Sequence, residues 1–173
     1  MDSDTLRYAR RYLKAGLSVI PIKADGSKEP AFSGWRTYSN RQPTHEEIES
    51  WWPPDATTGI GVVPGPASLN LVVLDFETEQ AFKDWMELVD DGHAGAIDGC
   101  PVIRTPSGAR HVWVRLAMPA LPAPGTVLAR DEDGSLLVEV RGYGHQVLAP
   151  GCPPECHPAR KRYTFESYGW LGE

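Results

Sequence analysis

The run Asn-Leu-Val-Val-Leu-Asp-Phe-Glu, residues 70–77, is the strongest strand signal in the chain and the feature that most restricts its fold. Side chains alternate along a strand, so Val72, Leu74 and Phe76 make one wholly apolar face that a second layer must cover. The opposite face begins apolar at Leu71 and Val73 and ends in Asp75 and Glu77. Those two carboxylates lie about 7 Å apart at Cα and point the same way. Aspartate is a poor strand former and paired carboxylates repel, so the placement needs a cause. A hard divalent cation, Mg²⁺ or Mn²⁺, would remove both objections. The plainer reading is that the strand ends at Asp75 and both acids face water.

Around this strand the pattern is α+β rather than a βαβ repeat. A helix is expected from about Asp4 to Ala15, stopped by Gly16, with Leu6, Ala9 and Leu13 on its apolar face. Arg7, Arg10, Arg11 and Lys14 form a basic stripe beside that face. The stripe reads either as a solvated helix surface or as a contact for a phosphate backbone. Leu17–Ile22 and Thr58–Pro64 read as strands, separated by a short helix in Glu-Glu-Ile-Glu-Ser-Trp-Trp that Thr44 and Glu47 would cap. Thr78 could cap a helix carrying Phe82, Trp85, Met86 and Val89 on one face and ending at Gly92. The second half is mostly β. Strands are expected at Pro101–Thr105, His111–Leu116, Thr126–Arg130, Leu136–Arg141, His145–Pro150 and Arg162–Phe165.

Composition excludes several classes. At 173 residues the chain is long enough for one domain with a real core, built in two lobes. The net charge of −6 argues against a broadly cationic nucleic-acid coat and leaves room for a local basic groove. There is no apolar run of about 18 residues, so no membrane partner is expected. The opening residues carry no apolar signal core, and Cys100, Cys152 and Cys156 are too few and odd in number for a disulfide framework. A cytoplasmic protein with reduced thiols is the expectation.

Two further segments carry candidate chemistry. In Leu-Leu-Val-Glu-Val-Arg-Gly, Glu139 shares a strand face with Arg141, opposed by Val138 and Val140. Pairing of Glu139 with Arg141 or a neighbouring strand is one account. Three carboxylates from two strands holding two metals for in-line phosphoryl transfer is the other. In Thr-Pro-Ser-Gly-Ala-Arg-His, residues 105–111, Ser107, Gly108 and free backbone N–H groups could bind phosphate oxygens, with Arg110 adding charge. His111 opens the following strand.

The ordered set Val-Leu-Asp-Phe-Glu, Thr-Pro-Ser-Gly-Ala-Arg-His and Val-Glu-Val-Arg-Gly-Tyr-Gly-His-Gln-Val-Leu-Ala-Pro resembles the bifunctional primase–polymerase domain of the archaeo-eukaryotic primase superfamily. The flanks agree: Ala-Arg-Arg-Tyr-Leu-Lys-Ala-Gly-Leu-Ser-Val-Ile-Pro-Ile-Lys at the start, Ser-Lys-Glu-Pro, Gly-Trp at 34–35, Glu-Ser-Trp-Trp at 49–52, and Pro-Pro-Glu-Cys-His-Pro-Ala-Arg-Lys-Arg-Tyr-Thr-Phe near the end. The likeness covers about residues 8–165.

The resemblance implies a primase-like core, an RRM-like antiparallel catalytic sheet with an N-terminal α/β lobe. It implies primase and DNA polymerase activity on a single-stranded DNA template and primer, using NTPs or dNTPs and two divalent ions, Mg²⁺ or Mn²⁺. Asp75, Glu77 and Glu139 match the family's metal-binding catalytic acids, and His111 its phosphate-contacting histidine, with Ser107, Gly108 and Arg110 beside it. Lys28, Arg141 and His157 are weaker candidates for nucleotide or template contacts. Two positions depart from the family: Glu139 stands where aspartate is usual, and Ala109 replaces a glycine, harmless unless that backbone needs positive φ. Relatives commonly precede a helicase, and no Gly-x-x-x-x-Gly-Lys-Ser/Thr string occurs here. The chain is therefore read as one catalytic domain, 1–173, compatible with the N-terminal part of a longer replication protein of a plasmid, phage or mobile element, with a helicase in cis or trans. Zinc at Cys152, Cys156 and His157 is not expected, for want of a clear fourth ligand. The alternatives are a primase-like module that binds single-stranded DNA or nucleotide without chemistry, and a metal-dependent nuclease using the same acids.

Overall fold

In the computed structural model, residues 3–117 and 125–172 are described. Helix α1 (Asp4–Lys14) starts where Ser3 accepts a hydrogen bond from the Leu6 N–H, and Gly16, at φ 81°, turns the chain out of it. Its buried face is Leu6, Ala9 and Tyr12, with Leu13 only partly covered. The chain enters β1 (Ser18–Ile22), then α2 (His45–Trp51), where Thr44 and Glu47 close the expected capping box. Strand β2 (Gly59–Val63) pairs antiparallel with β1 on one side and with β8 (Val147–Leu148) on the other. The small lobe is thus not purely N-terminal: a two-residue strand from the second half completes its sheet.

The large sheet has six strands, and every pairing in it is antiparallel. Its members are β3 (Leu71–Phe76), β4 (Val102–Arg104), β5 (Arg110–Arg115), β6 (Thr126–Arg130), β7 (Leu136–Arg141) and β9 (Thr164–Ser167), in the order β6-β7-β3-β5-β4-β9. The apolar run 71–76 therefore lies near the middle, hydrogen-bonded on both sides, which is where a strand apolar on both faces belongs. Helix α3 (Glu79–His93), capped by Thr78, covers one face. Phe82 and Trp85 pack on Phe76, and Val102, Val112 and Val138 complete that layer. The helix runs through Gly92 to His93 rather than stopping at the glycine.

The opposite face is covered over only part of its length. Leu71, Val73, Ile103 and Trp113 are sealed beneath α1 and the small sheet, with the Tyr12 ring 5.8 Å from that of Trp113. Burying residues of this size stabilises the lobe contact by about 1.5–3 kcal/mol for each fully covered side chain. Cover ends one strand position beyond Val73. The next residue on that face is Asp75, and the α+β architecture thereby leaves a row of polar groups at the mouth between the lobes.

Candidate functional site

Three side chains stand side by side across three strands. Asp75 of β3 is directly opposite His111 of β5 and directly opposite Glu139 of β7. Residues opposite each other in antiparallel strands point to the same face. His111 Nε2 lies 3.3 Å from Asp75 Oδ1, while Arg141, two residues along β7, places Nε 3.2 Å from Asp75 Oδ2 and 3.1 Å from Glu139 Oε1. Asp75, Glu139 and His111 are largely covered, at 16%, 12% and 8% side-chain exposure. Glu77 lies one residue beyond the end of β3, but its N–H still donates to the Leu137 carbonyl at 3.0 Å, so the ladder carries it into the same row.

The charges report on one another. Burial pushes the Asp75 carboxyl up, but the His111 hydrogen bond and the charges of His111 and Arg141 outweigh it and hold the group below the usual aspartate range. Glu77 moves the other way. Burial and then the negative charges of Asp75 and Glu139 raise it, against the smaller pull of Arg141 and Lys28. The row thus holds a surplus of negative charge that its own cations do not balance at Glu77.

Among the described residues no group of three His, Cys, Asp or Glu side chains is positioned to hold a metal ion. The Arg141 guanidinium occupies the position between the Asp75 and Glu139 carboxylates. The donor set nonetheless fits a hard divalent cation. All three acids offer oxygen, Glu77 is destabilised by its neighbours, and the chain itself places a cation between two of them.

The segment before β5 is a tight turn. Thr105 N–H donates to the Ala109 carbonyl at 3.0 Å, Gly108 N–H to the Thr105 carbonyl at 2.9 Å, and Gly108 takes φ 93°. Exposed Ser107 shares a 2.9 Å hydrogen bond with Thr105. Ala109 is not among the positive-φ residues, so the alanine is accommodated without strain.

Arg110, expected beside His111 as a phosphate contact, is not brought to the row. Adjacent strand residues face opposite ways, and Arg110 lies on the α3 side. There it donates to Glu166 at 2.7 Å, lies 3.7 Å from Glu79, caps the Gly108 and Ala109 carbonyls and covers the Phe82 ring, with 5% of its side chain exposed. Its charge is spent on Glu166 of β9 and Glu79 of α3.

Lys28 and His157 flank the mouth. Lys28 is exposed, holds φ 61° and acts electrostatically on both Glu77 and His157. His157 is buried, accepts from the Ala159 N–H at 3.0 Å, and is held below the ordinary histidine range first by burial and then by Lys28. The residue that joins these groups, Tyr163, was not singled out from the sequence: its ring lies 6.0 Å from that of His111 and 5.9 Å from that of His157. The only signal for it was its place in the Arg-Lys-Arg-Tyr-Thr-Phe run. Cys152 and Cys156 lie away from the row, buried against Gly59, and all three cysteines are free thiols.

An α+β fold, with a central antiparallel sheet that lines up aspartate, glutamate and histidine at an open mouth, belongs to the primase-like class. The particular family follows from the sequence match: residues 9–171 correspond to the Prim-Pol family, the N-terminal domain of bifunctional DNA primase/polymerases, and the chain is a member of it. That family's work is nucleotidyl transfer by primases and polymerases, with DNA and nucleotides as substrates. No curated protein matches the chain. Among the described residues no helix is long and apolar enough to cross a membrane.

Proposed function

We propose that this chain extends a primer on a single-stranded DNA template by nucleotidyl transfer from NTPs or dNTPs, with Asp75, Glu77 and Glu139 holding two divalent ions, Mg²⁺ or Mn²⁺. The observation that carries the reading is the register that sets His111, Asp75 and Glu139 opposite one another on β5, β3 and β7. Bound ions of this kind lower the pKa of an attacking hydroxyl and stabilise the charge on a leaving pyrophosphate.

The chain's own groups have distinct tasks. Asp75 is fixed from both sides, by His111 on Oδ1 and by Arg141 on Oδ2, so its oxygens are oriented before any ligand arrives. His111 is locked by that bond and by the Tyr163 ring, and its buried Nδ1 has no partner within the described residues. It is placed to contact the triphosphate. Arg141, on the same strand face as Glu139, would supply charge to the same phosphates. Ser107 offers a hydroxyl at the turn that Gly108 closes, while Lys28 and His157 contact nucleotide or template from across the mouth. A helicase in cis or trans, and a setting in the replication of a plasmid, phage or mobile element, are part of the same proposal.

The test is incubation of the protein with a labelled primer–template, nucleotides and Mn²⁺. Extension that disappears in Asp75→Asn supports the reading. Extension at the wild-type rate by Asp75→Asn would overturn the site, degradation of the primer would make the protein a nuclease, and an unchanged primer with retained nucleotide binding would make it a non-catalytic module.

A further inference from the structure

On the far side of α1 from the small sheet, a cleft of about 780 Å³ runs between the helix and the C-terminal segment. It shares no residue with the Asp75 row. Arg115, beside Trp170 at one end of it, is four residues along β5 from His111, about 13 Å at strand rise, with the buried Trp113–Tyr12 contact between.

One wall is the basic stripe of α1. Arg7 and Lys14 are exposed, Arg11 is half-buried, and Arg10 is tied to Glu49 at 2.7 Å. From Arg7 to Lys14 the helix rises about 10 Å, so the cations form a line rather than a point. The other wall is aromatic. The Phe165 and Tyr168 rings lie 4.5 Å apart, and α1 meets them with Tyr8, 6.5 Å from Phe165 and nearly parallel to it, and with the Arg11 guanidinium, 4.8 Å over Tyr168. This wall is anchored: Trp170 N–H donates to the Gly99 carbonyl at 2.8 Å, and Arg115 covers the Trp170 ring at 3.6 Å. Past Tyr168 the cleft continues along β9 toward Arg162. The acid on this path is Asp4, which Arg7 already meets at 3.1 Å in an exposed pair of little energetic weight.

A linear row of cations facing stacked aromatic rings, on a chain of net charge −6, is a local inversion of sign. It matches a linear polyanion whose flat groups can stack, which is the chemistry of single-stranded nucleic acid. We propose that the α1–Tyr168 cleft is a binding track for single-stranded DNA, separate from the Asp75 row and leading template or primer past the lobe contact. The proposal names a partner surface for the nucleotidyl-transfer reading and rests on it for the identity of the strand.

Fluorescence anisotropy with a labelled 20-nucleotide oligo(dT) tests it. Three phosphates neutralised on a single strand give a salt slope near −2, about a 15- to 20-fold loss of affinity between 50 and 200 mM salt. Arg7→Glu/Lys14→Glu is expected to weaken binding at least tenfold at 50 mM salt and to flatten that slope. Tyr168→Ala is expected to weaken it several-fold with the slope kept. Lys83→Glu, a single charge reversal on α3 across the sheet, should bind as wild type. Wild-type affinity in the double variant overturns the track. So does equal competition by polyglutamate of matched charge, which would make the cleft an acceptor for any polyanion or acidic peptide. A separate outcome, in which Asp75→Asn still extends primers while the double variant loses oligo(dT), would remove the catalytic reading and leave the track standing.

Discussion

Arg141 Nε lies 3.2 Å from Asp75 Oδ2, so the carboxylate at the centre of the candidate site is neutralised by a cation of the chain itself. The same nitrogen is 3.1 Å from Glu139 Oε1. An acid row in a strand interior would otherwise destabilise the sheet, and the guanidinium offsets that cost in the absence of any ligand. A divalent ion at Asp75 and Glu139 would compete with Arg141 for the same oxygens.

Removing that competitor should expose the acids. In Arg141→Gln, Mn²⁺ affinity measured by isothermal titration calorimetry without nucleotide is expected to rise several-fold, because no internal cation has to be displaced. Primer extension is expected to fall in the same variant, because the charge offered to the triphosphate is gone. Unchanged Mn²⁺ affinity would show that Arg141 and the ion do not share the acids.

Acid and neutral pH should separate Asp75 from Glu77. Asp75 is held below the ordinary aspartate value near 4, so its contribution to stability is present above that value and is lost as pH falls through the lower folded one. In Asp75→Asn the urea midpoint should therefore change less than in wild type between pH 5 and pH 3. Glu77 is raised, so any stability it lends is present below the ordinary glutamate value and lost as pH rises through the folded one. Glu77→Gln should thus raise the midpoint at pH 7 in chelator, and added Mn²⁺ should stabilise wild type more than the variant. A lower midpoint for Glu77→Gln in chelator would contradict the surplus charge read at this position.

The faces of the site were legible in the sequence, but its lateral order was not. Strict alternation over residues 71–76 puts Asp75 opposite Phe76, and the same rule places Glu139 and Arg141 together. What alternation cannot supply is which strand lies beside which. Asp75 meets His111 and Glu139 through pairings that span 36 and 64 residues of chain, and only burial of both sheet faces fixes that register. Arg110 lies off the row for a local reason. Its position next to His111 already put it on the other face, and the charge of the Gly-Ala-Arg-His string obscured this. The strand expected at His145–Pro150 is present as the shorter β8, but its pairing with β2, like the place of Tyr163 beside His111, comes from contacts with distant segments that local pattern does not carry.

Arg110 should behave as a structural ion. Arg110→Ala leaves Glu166 and Glu79 without their covered partner and uncaps two turn carbonyls. The expected loss is about 2–3 kcal/mol, or a Tm lower by about 4–12 °C for a chain of this size. Glu166→Gln should lose part of the same amount, and the double variant less than the sum, because the two share one interaction. Additive losses in that cycle, measured by chemical denaturation, would show that Arg110 is stabilised elsewhere.

Gly59 supplies the last test, because its need for hydrogen in place of a side chain comes from space and not from φ. A Cβ there would overlap Cys156 Sγ and lie 2.9 Å from Cys152 Sγ, both thiols being sealed in the core. Cys152 is itself fixed, since Ile60 N–H donates to its sulfur at 3.1 Å and its thiol returns a bond to the Ile60 carbonyl at 3.1 Å. It cannot yield without breaking both. Gly59→Ala should therefore destabilise the small lobe by about 1–3 kcal/mol, the usual cost of overfilling a packed site. Cys156→Ala vacates the more crowded position, so Gly59→Ala/Cys156→Ala should recover part of the loss relative to the two single variants. If the pair instead loses the full sum in urea denaturation, the crowding at Cys156 is not what holds Gly59 in place.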